Sequence, residues 1–213
     1  MKCWTRRQFI EAAAAGMAAS PLIASGMTST AKSDPRPIVY WTPEISEAAL
    51  IRMVNLVKGE LTGKIALKLH TGEPKGPNIL PPAWIKTLQG TIPESTIVEC
   101  NVLYKSPRQT TAGHRKVLEE NGWTFSKVDI MDEFGDAPLP IKGGLHLKEI
   151  MVGKHFFDYD SMLVLTHFKG HGMGGFGGSL KNIAIGCASA EHGKKQVHNV
   201  QPDGSWPRGA GFM

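Results

Sequence analysis

"KIALKLH", residues 64–70, decides the fold: an apolar-rich run that ends at His70, where the turn-forming "TGEPKGPN" (71–78) begins, reads as a strand. Its neighbours on both sides read as helices. Upstream, "EISEAALIRMVNLVKGEL" (44–61) has apolar residues at helical spacing and predicts a helix ending near Gly59 or Gly63. Downstream, "PPAWIKTLQG" (81–90) opens a helix with proline tolerated in its first turn. "STIVECNVLY" (95–104) is a β-branched strand, "RQTTAGHRKVLEENGW" (108–123) a helix stopped at Gly122, and "FSKVDI" (125–130) a further strand. "PIVYW" (37–41) is strand-like, "IKGGLHLKEIMVGKHF" (141–156) looks like a hairpin, and "SMLVLT" (161–166) is a buried strand. Strands alternating with helices predict an α/β fold whose largely parallel sheet is flanked by helices, over a single domain at 38–213. Ligands of such sheets sit beyond the carboxyl ends of the strands. The segments after His70, after "NVLY" and after "SMLVLT" satisfy that rule.

The 213 residues, 41% apolar, are enough for one substantial core. The net charge is +5, but residues 1–31 hold three bases (Lys2, Arg6, Arg7) and one acid (Glu11), so a chain starting near Lys32 carries about +3. No basic stripe with interleaved aromatics appears, which excludes a nucleic-acid footprint. The N-terminus joins a basic start to an Ala-rich stretch and small residues ending at Ala31, the pattern of an export signal peptide at 1–31, followed by a linker at 32–37 that contains "SDPRP". "TRRQFI" resembles the twin-arginine form and implies a periplasmic protein exported already folded. The Ala-rich stretch is too short for a permanent membrane span. Cys3 leaves with the signal; Cys100 and Cys187 allow one disulfide but no four-cysteine cluster.

"THFKGHGMGGFGGSLKN" (166–182) sets six glycines among two histidines and two lysines. Such a backbone suits close approach to a ligand, and a Gly-rich loop is predicted at the strand's carboxyl edge. Gly172, Gly174 and Gly177 spell G-x-G-x-x-G, yet "HFKGH" separates them from the strand and no second strand ending in an acid follows, which argues against dinucleotide binding. The spacing G-x-x-x-x-G-K-[ST] is absent at Lys181. His146, His155 and His192 read as ordinary histidines, and Lys194 and Lys195 as solvated ones.

"LKLHTGEP", "NVLYKSPRQTTAGH" and "THFKGHGMGGFGGSLKNIAIGCAS" together resemble, in order, the family known as domain of unknown function 362, from about residue 38 onward. Many relatives append ferredoxin-like cysteine clusters; this sequence has no C-x-x-C after His198, so no intrinsic iron–sulfur cluster is expected, although the resemblance implies an iron–sulfur redox partner. A more distant resemblance is to nickel-pincer lactate racemases: "AGHR" offers His114 and Arg115, Lys181 follows His171 by ten residues, and "QVHN" offers His198. That resemblance implies His114 and His171 as acid and base, Lys181 as the covalent holder of a nickel-pincer nucleotide and His198 as a nickel ligand. Gly174, Gly175, Gly177 and Gly178 would lie against the cofactor, and His70, Glu73 and Arg115 would face a small-molecule substrate. Those racemases place an arginine where this chain has Glu73, an acid that would repel a hydroxy-carboxylate. They also build part of their site from a second domain, which implies that a partner or further chain completes the pocket here. The expected activity is a racemase- or isomerase-like proton or hydride transfer at a hydroxyl-bearing carbon; the alternative is a non-catalytic redox or cofactor-carrying module.

Overall fold

A computed structural model describes residues 38–172, 174–201 and 204–205, with residues from Tyr40 onward forming one unit. The export signal and the whole linker lie outside the described residues. Residues Ile65–Lys68 form β1, buried along its whole length. It is buried because it has a parallel neighbour on each side: β2 (Ser95–Glu99) in the register Ile65↔Ser95 and β6 (Ser161–Val164) in the register Ile65↔Ser161. β3 (Val128–Ile130) adds to β2, giving a four-stranded, wholly parallel sheet in the order β3-β2-β1-β6. β6 is the end strand and only half-buried, a correction to the fully buried reading.

Alternation along β1 separates two cores, because successive side chains leave opposite faces of a strand. Ile65, Leu67 and Leu69 join Ile97, Ile130 and the helices α1 (Glu47–Asn55), α2 (Pro82–Gln89) and α3 (Thr111–Glu120) through Val54, Ile85, Leu88 and Leu118. Ala66 joins Val98, Cys100, Met131 and Cys187 in a smaller cluster. Local chemistry starts the helices as expected: the Ser46 hydroxyl accepts from Ala49 N at 3.1 Å, Thr110 caps α3, and Pro82 opens α2. α1 stops at Asn55 rather than Gly59 or Gly63, and a 3-10 turn (Lys58–Glu60) follows. Leu56 and Val57 are exposed, so no burial rewards another α-helical turn.

Three sequence expectations change. Residues 38–43 form no strand, and Ile38, Val39 and Trp41 are exposed: β-branched composition without a pairing edge is not a strand. The hairpin exists, but its first arm is β4 (Asp136–Pro140), paired antiparallel with β5 (Glu149–Gly153), and "IKGGLHLK" is the connection. β5 is bridged on its other side by Ala188, so the open edge of the ribbon is that of β4, which is where Pro138 and Pro140 are tolerated. The Gly-rich segment is not a plain loop: β7 (Lys169–His171) pairs with β8 (Gly175–Gly177) before α4 (Ser179–Gly186) begins. The last helix is α5 (Gly193–Val197). A Cβ on Gly193 would lie 1.8 Å from the Met151 carbonyl oxygen, so α5 reaches β5 only without a side chain there. No helix among the described residues is long and apolar enough to cross a membrane.

Candidate functional site

Beyond the carboxyl ends of β1, β2 and β6 lies a cavity of about 390 Å³. β1 ends in Lys68, a lysine with a fully buried side chain in the middle of the sheet. Its ammonium donates to Glu99 Oε2 at 2.8 Å, to Asn182 Oδ1 at 2.9 Å and to the Leu69 carbonyl. A Cβ on Gly186 would sit 2.5 Å from Lys68 Cε, so that glycine leaves room for the lysine beneath α4. Glu99 ends β2 and also accepts from Thr71 N (2.9 Å), Thr71 Oγ1 (3.2 Å) and Arg108 Nη2 (3.3 Å). Burial alone would raise its carboxyl pKa, but the Lys68 and Arg108 charges outweigh that and hold it well below the usual carboxylate range.

Arg108 links this buried network to the cavity. Its Nη1 donates to Glu73 Oε1 at 2.8 Å, and Glu73 also accepts from the Ser106 (2.8 Å) and Tyr104 hydroxyls. Burial opposes ionisation of Glu73, yet these hydrogen bonds and the guanidinium keep its pKa low. The Arg108 Nε–H donates to His114 Nε2 at 3.2 Å, so His114 carries its proton on Nδ1, where it donates to Asn101 Oδ1 at 3.2 Å. Burial and the adjacent guanidinium press the His114 pKa down to about 4. It is therefore a neutral imidazole whose two nitrogens are both engaged. His114 does not line the cavity; it holds Arg108, which does. Arg115 is also absent from the lining and pairs with Glu133 at 2.5 Å.

The other sequence-chosen residues divide cleanly. His70, Glu73, His171, Gly177, Gly178, Lys181 and His198 all line the cavity, whereas Gly174 and Gly175 sit exposed at the turn between β7 and β8. Desolvation, then the Lys169 charge, lowers the Lys181 pKa. His171 is lowered by desolvation and by Lys181 and Lys169; it accepts from Gly174 N at 3.0 Å through Nδ1. His198 is lowered by desolvation, then by Lys181, Lys194 and His171. His70 is lowered by desolvation, which the Glu99 charge only partly offsets at 3.9 Å. The cavity thus holds three imidazoles biased toward the neutral form beside a lysine whose pKa is lowered.

Lys68, Glu99, Arg108, Lys169 and Lys194 were missed in the sequence. Lys194, expected to be solvated, is buried, lines the cavity and donates to the Ala188 carbonyl. The signal for two of them was present: central parallel strands are near-continuous apolar runs, so Lys68 and Glu99 inside them were anomalies. Cys100 and Cys187 are free and buried, with the Cys100 thiol 3.5 Å from the Cys187 carbonyl oxygen and both thiol pKa values raised by desolvation. Among the described residues no three His, Cys, Asp or Glu side chains converge as a metal-binding group.

No curated protein and no solved structure matches the chain. The model of one family, described as Domain of unknown function (DUF362), matches residues 65–208, from the first residue of β1 past His198, and so takes in the whole sheet and every residue of the cavity. On that match the chain belongs to the DUF362 family.

Proposed function

We propose that the cavity is the active site of an exported, cofactor-dependent enzyme that moves a proton or hydride at a hydroxyl-bearing carbon, with Lys181 holding the cofactor. The observation that carries this reading is Lys181 itself: a half-buried amine lining the cavity, its pKa lowered, with no carboxylate among the described residues at ion-pair distance. A desolvated lysine is a nucleophile toward an activated carbonyl or thioacyl group. A tethered nickel-pincer nucleotide would supply the hydride acceptor, and His198, also on the cavity wall, would be its protein donor. His171 and His70, from β7 and the end of β1, are neutral near pH 7 and can take or give a proton to a ligand between them. Glu73 does not bar a carboxylate substrate, because Arg108 neutralises it at 2.8 Å. His114 acts through Arg108 by orienting it.

Intact-mass measurement of the mature protein, with metal analysis, tests the assignment. Extra mass on Lys181 that disappears in Lys181→Arg and persists in Lys195→Arg supports it; an unmodified wild-type protein overturns it. A second reading, a carrier that docks with an iron–sulfur protein, is favoured by the exposed rings of Phe168 and Phe176, 5.4 Å apart, beside Lys169 and Gly177. Unmodified, metal-free protein that retains a bound redox partner would select it. The periplasmic location rests on "TRRQFI"; unimpaired export of an Arg6→Lys, Arg7→Lys precursor would refute it.

A further inference from the structure

The cavity has two electrostatic ends. At one, the carboxylates Glu73 and Glu99 are matched by Arg108 and Lys68. At the other, Lys169 on β7 and Lys181 on α4 stand on either side of Gly177. A Cβ placed on that glycine would be 3.8 Å from Lys181 Cδ and 3.9 Å from Lys169 Cγ, so the two stems flank one gap in the wall. Both residues line the cavity. The Lys169 ammonium touches the Gly170 carbonyl at 3.3 Å, which carries no charge, and among the described residues no carboxylate pairs with either lysine. His171 and His198 line the same end, and neither brings negative charge.

Two ammonium groups held together in a partly desolvated site without a counterion repel each other, and the fold gains nothing from keeping them there. Desolvation first, and then the Lys169 charge, lowers the Lys181 pKa. A dianion between the two ammonium groups removes their repulsion, and lysine is well suited to phosphate as a point charge with rotatable donors. We infer that the Lys169–Gly177–Lys181 wall is the subsite for a phosphate group of the bound ligand. A cavity of about 390 Å³ lies near the lower end of the roughly 300–1,000 Å³ of small-molecule sites, which limits the ligand to a phosphorylated metabolite or mononucleotide in size. The inference rests on the reading that this cavity is the functional site, and it concerns Lys181 as a free ammonium rather than as a covalent holder.

Calorimetric titration of inorganic phosphate into Lys181→Arg protein separates the two. Arginine keeps the charge and cannot carry a tether, so the subsite is open in this variant whatever wild-type Lys181 holds. Saturable phosphate binding is expected, weakened about tenfold or more by adding Lys169→Gln, as for loss of a charge-assisted hydrogen bond, and unchanged by adding Lys195→Gln. Circular dichroism confirms that each variant is folded. Absence of saturable binding, equal binding with Lys169→Gln, or tighter binding of acetate or oxalate than of phosphate would each overturn the phosphate subsite. Phosphate binding alongside an unmodified wild-type Lys181 would support the subsite while removing the tether, and an adduct on wild-type protein without phosphate binding to the variant would do the reverse.

Discussion

Glu99→Gln strikes the one carboxylate that makes a lysine tolerable inside this sheet. The Lys68 and Glu99 side chains are 1% and 3% exposed, with 2.8 Å between ammonium and carboxylate. At that separation and an effective dielectric of about 20, the pair attraction is about 6 kcal/mol before the cost of desolvating both ions. The substitution leaves a buried ammonium with two neutral acceptors, the Leu69 carbonyl and Asn182 Oδ1, and turns an amide edge toward it. It also removes the acceptor shared by Thr71 and Arg108. Breaking one side of such a pair costs about 3–5 kcal/mol, a large part of the roughly 5–15 kcal/mol that holds a domain together. Urea unfolding at pH 7 should show that loss, with a fall in Tm of about 10 °C or more for a domain of this size. Glu44→Gln, which breaks the exposed Arg52 pair, should leave the midpoint nearly unchanged. Replacing both ions, Lys68→Met with Glu99→Leu, should recover part of the loss, because no buried ammonium is left unpaired while Thr71 N and Arg108 Nη2 still lose their acceptor. A Glu99→Gln protein within about 1 kcal/mol of wild type would refute the argument that this pair is mutually obligate.

His114 makes stability depend on pH. The unfolded chain protonates it near pH 6.5 and the folded chain only at about 4, so its contribution is complete above 6.5 and falls by about 3 kcal/mol as pH drops from 6.5 to 4. His114→Gln should flatten the urea-midpoint profile across that window, and a variant with the wild-type slope would show that the imidazole is not held neutral. Glu99, whose pKa is depressed, adds a further loss only below about pH 4.5, as the carboxyl protonates in the unfolded chain first. Gly193→Ala should cost about 3 kcal/mol, because its Cβ would meet a Met151 carbonyl that already accepts from Ser189 N at 3.0 Å, whereas Gly177→Ala, with ordinary 3.8 Å contacts, should fold normally; the two thermal midpoints decide it. Cys100 and Cys187, buried and with raised thiol pKa values, should resist a thiol reagent until denaturant is added, and modification of either in the native protein would contradict their burial.

The parallel sheet was legible because its evidence is local. Burial on both faces makes β1 and β2 short apolar runs, and the helices between strands announce themselves by caps and periodicity. What failed was composition read without a partner. "PIVYW" has β-forming residues, but its described residues form no strand, and "IKGG" drew the hairpin arm toward its glycines when the pairing strand was the proline-bearing Asp136–Pro140. The site was legible in its motif residues and illegible in its charges. Lys68, Glu99 and Arg108 are separated by 31 and 9 positions along the chain, and nothing in one sequence says which acid meets which base. Glu73 illustrates the consequence: in sequence it is an acid hostile to a carboxylate, and in the fold it is half of a neutral pair.

The glycines of 166–182 show why that density was hard to interpret from residues alone, since they are not doing one thing. Gly175 has φ +73°, a left-handed conformation that lets the β7–β8 turn close, and it faces solvent. Gly178 lies against the Phe168 ring, where a Cβ would be 3.4 Å away, and holds the hairpin to the start of α4. Gly177 has neither constraint: its φ is not left-handed, and a methyl group would make only ordinary contacts there. A position that tolerates alanine sterically and still lies against the stems of Lys169 and Lys181, neither of which pairs with a carboxylate among the described residues, is one where the missing side chain matters to what enters the gap rather than to the fold. The chemistry proposed for the segment therefore concentrates at His171, Gly177 and the two lysines beside that glycine, while the glycines at the tip belong to the turn.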